Sequence, residues 1–222
     1  MRSLVREILQ TVLLALLIFM ALQASIQNYR VEGSSMQSTL LNGQHLLVNK
    51  IVYYRLDKER LARWLPFLDI EGREVLYPFH PPRRGEVIVF HFCDVHCDTE
   101  DASQESAGPP IPSRDFVKRI IAVPGDTIEV SRGMVYVNDR FIDEPYITSS
   151  SCSTSTRREC QYAKRSLAEG EYFVLGDNRP ASNDSRVWGP VHLNDIVGRV
   201  WVTYWPFSDL GFLEIAPLFP WR

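Results

Sequence analysis

The chain has 222 residues, and 24 Lys and Arg against 27 Asp and Glu leave a formal net charge of −3. That balance, with no basic run interleaved with aromatics, excludes a nucleic-acid surface. With 45% hydrophobic residues the chain can bury a sizeable core, enough for one large or two small domains beyond a membrane segment.

The first predicted element is a membrane helix. Residues 8–29 carry no formal charge, and roughly 20 apolar residues cross the hydrocarbon core of a bilayer. A cleaved signal peptide has a similar layout. A cut after Ala24, however, would put Leu22 at the third position back, where a small residue is needed. The segment is therefore read as a retained anchor. Arg2, Arg6 and the terminal amine precede it, and Arg30 follows. The excess before the span predicts a cytoplasmic N-terminus and an extracytoplasmic remainder, single-pass in the cell membrane. The expected division is 1–30 as cytoplasmic N-terminus and anchor, and 31–222 as one β-rich domain.

Beyond the anchor the pattern is mainly strands. Residues 46–53 and 86–92 are β-rich, the second after a Pro-Pro-Arg-Arg-Gly break. Residues 116–123 end at Pro124-Gly125-Asp126. Residues 127–130 and 134–137 flank Ser131-Arg132-Gly133, a hairpin signal. Residues 172–175 and 196–204 complete the set. Short strands separated by turn chemistry predict antiparallel sheets and not βαβ units. In 57–79, Leu61, Trp64, Leu65 and Leu68 recur at near-helical spacing among Lys58, Arg60 and Arg63. A surface helix over the core is expected there, with a helix in the membrane interface as the alternative. Residues 94–113 and 149–156 read as exposed polar loops. The aromatic, proline-broken run 205–222 is expected to pack on the sheets, with bilayer contact as the alternative.

Cys93, Cys97, Cys152 and Cys160 suit an oxidising compartment, and an even count there reads as disulfides. Local pairs Cys93–Cys97 and Cys152–Cys160 are preferred. A metal site drawing on His91 or His96 lacks any Cys-x2-Cys spacing, and none is assigned.

Three segments carry candidate chemistry. Gly33-Ser34-Ser35-Met36 follows the anchor, and Gly33 permits unusual backbone angles and close approach of a substrate chain. A serine is a weak nucleophile until something removes its proton. Lys118, in Phe116-Val117-Lys118-Arg119-Ile120, shares a strand face with Phe116 and Ile120. Periodicity leaves open which of Lys118 and Arg119 is buried. A lysine acts as a base near neutral pH only where burial disfavours its charge. The third segment runs from Gly176-Asp177-Asn178-Arg179 to Ser182-Asn183-Asp184-Ser185-Arg186. Its arginines are placed to pair with Asp177 and Asp184, and Ser182 is placed to orient a neighbouring base.

Together these segments, in this order behind an anchor, resemble the type I signal peptidases. The match comprises Gly33 to Leu40, Asp115 to Asp126, and the loop from Gly176 to Arg186. The resemblance implies a mainly β fold: an N-terminal transmembrane helix, then an antiparallel β-sheet catalytic domain with a smaller β subdomain inserted at roughly 127–170. It maps the nucleophile to Ser35, the general base to Lys118, and the lysine-orienting hydroxyl to Ser182. The acidic position beside the dyad maps to Asp184. Gly33 stands where some members carry a serine that assists the oxyanion hole, so here the hole rests on backbone N–H groups, chiefly that of Ser35. The implied substrates are secretory preproteins with small residues at positions −3 and −1, met at the lipid bilayer. No metal or organic cofactor is implied. A self-cleaving Ser/Lys repressor would carry a DNA-binding helix pair in place of the anchor. An inert membrane-tethered β module is the non-enzymatic alternative.

Overall fold

The computed structural model describes residues 2–57, 75–92, 114–147 and 160–216. The helix expected within 57–79, the loops expected at 94–113 and 149–156, and the expected Cys93–Cys97 and Cys152–Cys160 pairings lie largely outside those residues. Cys160 itself is disulfide-bonded.

The N-terminal helix, α1, is Arg2–Ser25. Its apolar part, Val5–Ser25, has 21 residues with a mean hydropathy of 2.1, and none of it is buried against protein. At ~1.5 Å per residue it reaches about 32 Å, against a hydrocarbon core of ~30 Å. The helix stops earlier than the uncharged run does. Residues 26–30 form β1 (Ile26–Arg30), which pairs antiparallel with β2 (His45–Asn49). Gln27 and Asn28 add nothing apolar to a span, and the ladder takes up the backbone groups that a helix would otherwise satisfy.

The other strands are β3 (Leu56–Asp57), β4 (Val75–Leu76), β5 (Val87–Phe92), β6 (Arg114–Ala122), β7 (Thr127–Ser131), β8 (Met134–Val137), β9 (Arg140–Phe141), β10 (Tyr162–Ser166), β11 (Glu171–Leu175), β12 (Val191–His192), β13 (Ile196–Trp205) and β14 (Gly211–Phe212). The main sheet runs β1-β2-β13-β5-β6-β11-β12, with β14 on β13. A four-stranded sheet, β10-β7-β8-β9, is inserted after β6. Every pairing in both sheets is antiparallel. The architecture is therefore mainly β, with one apolar N-terminal helix and a smaller inserted sheet.

Period-two burial builds the cores. Leu46 and Val48 of β2 are buried, and so are Ile128 and Val130 of β7. One cluster joins Leu46, Val48, Val87, Val89 and Val200 to Met36 and Leu40, which seats the turn after β1. A second joins Ile88, Phe90, Ile120 and Val174. A third joins Ile121, Phe173 and Leu175 to Ile128, Val135 and Val137, so the inserted sheet shares its core with the main one.

The expected hairpin forms at β7–β8. Arg132 (φ 52°) and Gly133 (φ 78°) both take positive φ, as a two-residue type I′ loop needs. The expected strand at 46–53 is shorter: it ends at Asn49, whose Oδ1 accepts from Ile51 and Val52 N–H and turns the chain into a 3-10 turn, Ile51–Tyr53. The run after residue 204 packs on the sheets in part: β14 pairs with β13, and Leu213 and Ala216 lie against the buried clusters, while residues 217–222 lie outside the described residues. Trp205, Phe207, Leu210 and Phe212 stay exposed. Phe212 meets Trp201, and Phe207 meets Trp205, ring against ring on the outside.

Candidate active site

The turn between β1 and β2 presents Ser35. Gly33 opens it with φ +98°, and no atom lies within 4 Å of where a Cβ would sit. The backbone angle, not space, calls for glycine there. The buried side chains of Met36 and Leu40 pin the turn to the core. Thr39 and Leu40 N–H both donate to Met36 O, at 3.0 and 2.8 Å. Ser35 is thus a half-buried residue on a rigid turn, the position a nucleophile needs.

Lys118 reaches it from β6. Its Nζ lies 2.7 Å from Ser35 Oγ and 5.5 Å from the centre of the Phe116 ring. The side chain is closed off, with Lys118 only 1% exposed. No carboxylate forms an ion pair with it among the described residues. Burial pushes its amine down from 10.5 to about 8; the charges of Asp184 and Asp177 pull it part of the way back up, and Arg186 pushes it down. Roughly a tenth of the amine is then neutral at pH 7, a population that a general base can draw on.

Arg119, next in the strand, is equally buried but fully paired. It donates to Asp177 through Nε at 2.9 Å and through NH2 at 2.6 Å. NH1 donates to Gly85 O at 2.9 Å. Its guanidinium stacks 4.2 Å from the centre of the Tyr146 ring. Thr39 Oγ1 also donates to Asp177, at 2.5 Å. This pair ties the Gly176–Arg186 loop to β6 and to the Ser35 turn.

Within the loop, Asp184 accepts Gly176 N–H at 3.0 Å and Arg186 Nε at 2.7 Å. The expected Arg186–Asp184 pair therefore forms. Arg179 does not take Asp177, which Arg119 occupies, and pairs with Glu144 instead, through NH1 at 2.8 Å and through NH2. Asp184 acts on Lys118 through its charge, without an ion pair. Ser182 departs from expectation. Its hydroxyl is buried and has no hydrogen-bonding partner among the described residues, so the expected bond to Lys118 is not made. It abuts Gly176 instead: a Cβ on Gly176 would lie 2.2 Å from Ser182 Oγ and 2.6 Å from Ser35 O. His91, weighed as a metal ligand, meets Asp115 Oδ1 at 2.5 Å.

A cleft of about 600 Å³ opens beside Ser35, walled by Val31, Gly33 and Met36 on one side and by Asp115, Phe116 and Val117 on the other. A larger cavity of about 810 Å³, near Tyr77, Tyr172 and His192, contains neither Ser35 nor Lys118.

Residues 2–205 match the family described as signal peptidase, peptidase S26. The chain belongs to the type I signal peptidase family. It is 36% identical to signal peptidase I of Leptolyngbya laminosa, over 69% of this chain and 70% of the relative. It is 35% identical to signal peptidase I of Bacillus caldolyticus, over 83% of this chain and 82% of the relative. A crystal structure of a signal peptidase I from Enterococcus faecalis V583 aligns at 30% identity with a TM-score of 0.37, covering 55% of this chain and 97% of that one. Membership in the signal peptidase family makes the chain a peptidase and indicates signal-peptide removal as its activity. α1 fits the single-pass membrane anchor of such a signal peptidase.

Sequence reasoning missed Thr39, Glu144, Tyr146 and Asn178. Asn178 lay inside a recognised motif without a role. Glu144 and Tyr146 lie outside the motifs, with no local signal pointing to the loop.

Proposed function

We propose that the chain is a membrane-bound endopeptidase that removes signal peptides from secretory preproteins through a Ser35/Lys118 dyad, cutting after small residues at positions −3 and −1. The observation that carries this reading is the 2.7 Å approach of a buried, unpaired lysine to Ser35 Oγ. Neutral Lys118 takes the Ser35 proton as Oγ attacks the scissile carbonyl. The carbonyl π electrons move to oxygen, and the oxyanion collapses to expel the amine, which takes up the proton from Lys118. The acyl-enzyme ester remains. Lys118, neutral again, takes a proton from water, hydroxide adds to the ester, and Ser35 leaves and is reprotonated.

The substrate path is supported by an open strand edge. β5 pairs with β6 from Arg114 to Arg119, whereas β11 reaches β6 only from Arg119 onward. Among the described residues no strand therefore pairs with the edge of residues 114–118 that faces away from β5, and an extended preprotein segment adds there by β-augmentation. Val31, Met36, Phe116 and Val117 line apolar walls suited to small side chains. In this reading Gly33 keeps the backbone beside the scissile bond slim. Asp184 fixes Gly176 and Arg186 around the dyad. Ser182 is dyad support: its hydroxyl, buried against Gly176, has no hydrogen-bonding partner among the described residues, and burying one unpaired costs about 1–3 kcal/mol unless it is used.

Residues 1–30 form the cytoplasmic N-terminus and anchor, residues 31–222 face outward, and 127–170 hold the smaller subdomain. The bilayer is the physical partner of α1, and no nucleic acid takes part. Incubating purified protein with a preprotein tests the chemistry: the native chain cleaves it, Ser35→Ala does not, and Ser34→Ala retains most activity. Activity in Ser35→Ala with loss in Ser34→Ala would overturn the assignment. Protease added to intact spheroplasts tests the topology; protection of the catalytic domain would refute it.

A further inference from the structure

Asn178 makes two contacts that the dyad chemistry leaves unexplained. Its backbone N–H donates to Ser35 O at 2.9 Å. Its side-chain Nδ2 donates to Ser34 O, also at 2.9 Å. One residue from the Gly176–Arg179 loop thus grips two successive carbonyls, those flanking the nucleophile's own backbone. Asn178 is half-buried, and its neighbours in sequence are fixed on both sides: Asp177 by Arg119 and Thr39, and Arg179 by Glu144. The loop is therefore a firm mount for it.

The consequence lies in peptide geometry. In a trans peptide the C=O of one residue and the N–H of the next point in opposite directions. The Ser34–Ser35 bond is trans, since Trp205–Pro206 is the cis bond recorded among the described residues. Holding Ser34 O toward the Gly176–Arg179 loop therefore turns Ser35 N–H away from that loop. This N–H donates to no acceptor among the described residues, although Ser35 borders the cleft. It is a free donor on the nucleophile itself, where the oxyanion of acyl transfer develops. At Gly33, which carries no side-chain donor, the N–H is already spent on Asn42 Oδ1 at 3.1 Å.

We propose that Asn178 is a positioning residue of the oxyanion hole: by clamping Ser34 O and Ser35 O it aims the Ser35 N–H at the tetrahedral intermediate. This rests on the Ser35/Lys118 reading above. A second donor, Gln37 N–H, also reaches Ser34 O, at 3.1 Å. Losing the side-chain clamp therefore loosens the donor and does not free it. Deleting an oxyanion donor outright costs about 10²–10³ in kcat, so Asn178→Ala loses less, about 10- to 50-fold.

The test uses the full chain in detergent micelles with a preprotein substrate and a peptide boronate, which forms a tetrahedral adduct on the serine. Asn178→Ala lowers kcat about 10- to 50-fold, with KM within about twofold. The midpoint of the pH–rate profile stays where it is in the native enzyme, because Lys118 is untouched. Affinity for the boronate falls by the same factor as kcat. Asn178→Asp keeps the backbone N–H but sets an acceptor against Ser34 O, and it loses at least as much. If Asn178→Ala fails to fold, as thermal unfolding reports, Asn178→Asp decides by the same criteria. A kcat within about twofold of native overturns the proposal. So does an unchanged boronate affinity, or a loss that appears only as a shifted pH midpoint. Failure of the underlying reading looks different, because the native chain then cleaves nothing.

Discussion

Replacing Lys118 by Met is expected to abolish cleavage and yet stabilise the protein below pH 8. In the fold the amine is pushed down from 10.5 to about 8, chiefly by burial. That displacement corresponds to about 3 kcal/mol of folding free energy. Below about pH 8 the folded and unfolded chains both carry the proton, so the full cost of burying a charge is present. Between about 8 and 10.5 the unfolded chain binds more protons, and stability rises with pH. Above 10.5 both forms are neutral and the cost is gone. Methionine fills the same unbranched path without a charge. It forfeits the contact with Ser35, worth ~1 kcal/mol, leaving a net gain of about 2 kcal/mol. For a chain of this size that is roughly 4–8 °C in Tm. Thermal unfolding of both proteins in detergent micelles at pH 6.5 and pH 10.5 measures it. Other titrating groups are common to both and cancel in the difference. The reasoning is refuted if Lys118→Met melts at or below the native temperature at pH 6.5. It is refuted equally if the gap between the two proteins fails to shrink at pH 10.5.

In the proposed dyad the same amine sets the pH dependence of the reaction. With a value of about 8, roughly a tenth of it is neutral at pH 7, so kcat/KM should climb nearly tenfold per pH unit from 6 to 7.5 and level off above about 8; a flat profile from 6 to 9 contradicts Lys118 as the base. Gly176→Ala places a methyl group 2.6 Å from Ser35 O and 2.2 Å from Ser182 Oγ. Since a main-chain carbonyl cannot rotate out of the way, turnover should fall by more than about 10², in line with ångström-scale misplacement of a nucleophile; near-native kcat would show that the loop accommodates it. Asp177→Ala leaves the Arg119 guanidinium, 2% exposed, without its carboxylate, and should cost about 3–5 kcal/mol in urea unfolding; a loss under about 1 kcal/mol would mean that Tyr146 and Gly85 O suffice to hold it.

Much of the fold was legible because period-two patterning and turn chemistry are local signals. β5, β6, β7, β8, β11 and β13 lie where alternation and Pro/Gly breaks put them. The misses share a cause: they depend on partners distant in sequence. β1 continues the uncharged run of the anchor, and only its ladder with β2 makes it a strand. The end of β2 is set by the Asn49 side chain, a competition that propensity does not decide. In the site, Ser35 and Lys118 could be named from motifs, whereas Arg179's partner could not. Asp177 is nearer in sequence, but Glu144, just past β9, takes Arg179 because Asp177 is already held by Arg119. Ser182 carries the same lesson. The motif put a hydroxyl near the lysine, but its rotamer is decided by packing against Gly176.

In the proposed dyad, the two neighbouring cations of β6 take different roles, one chemical and the other structural, and their partners explain why. Lys118 and Arg119 are both sealed from solvent, at 1% and 2% exposure. A guanidinium cannot shed its proton in a protein, so Arg119 is tolerable only with a carboxylate, and Asp177 supplies one in bidentate form. An amine has another way out. Left without an ion pair, Lys118 relieves its burial by giving up the proton, and a neutral amine 2.7 Å from a hydroxyl is a base already in place. The arrangement works only if Asp177 and Asp184 stay engaged elsewhere. Either carboxylate turned onto Lys118 would restore its charge and silence it. Arg119 and Arg186, by occupying those carboxylates at 2.6 to 2.9 Å, keep the lysine free. In the proposed mechanism the arginine pairs thus serve the reaction by what they withhold from Lys118 as much as by the stability they add.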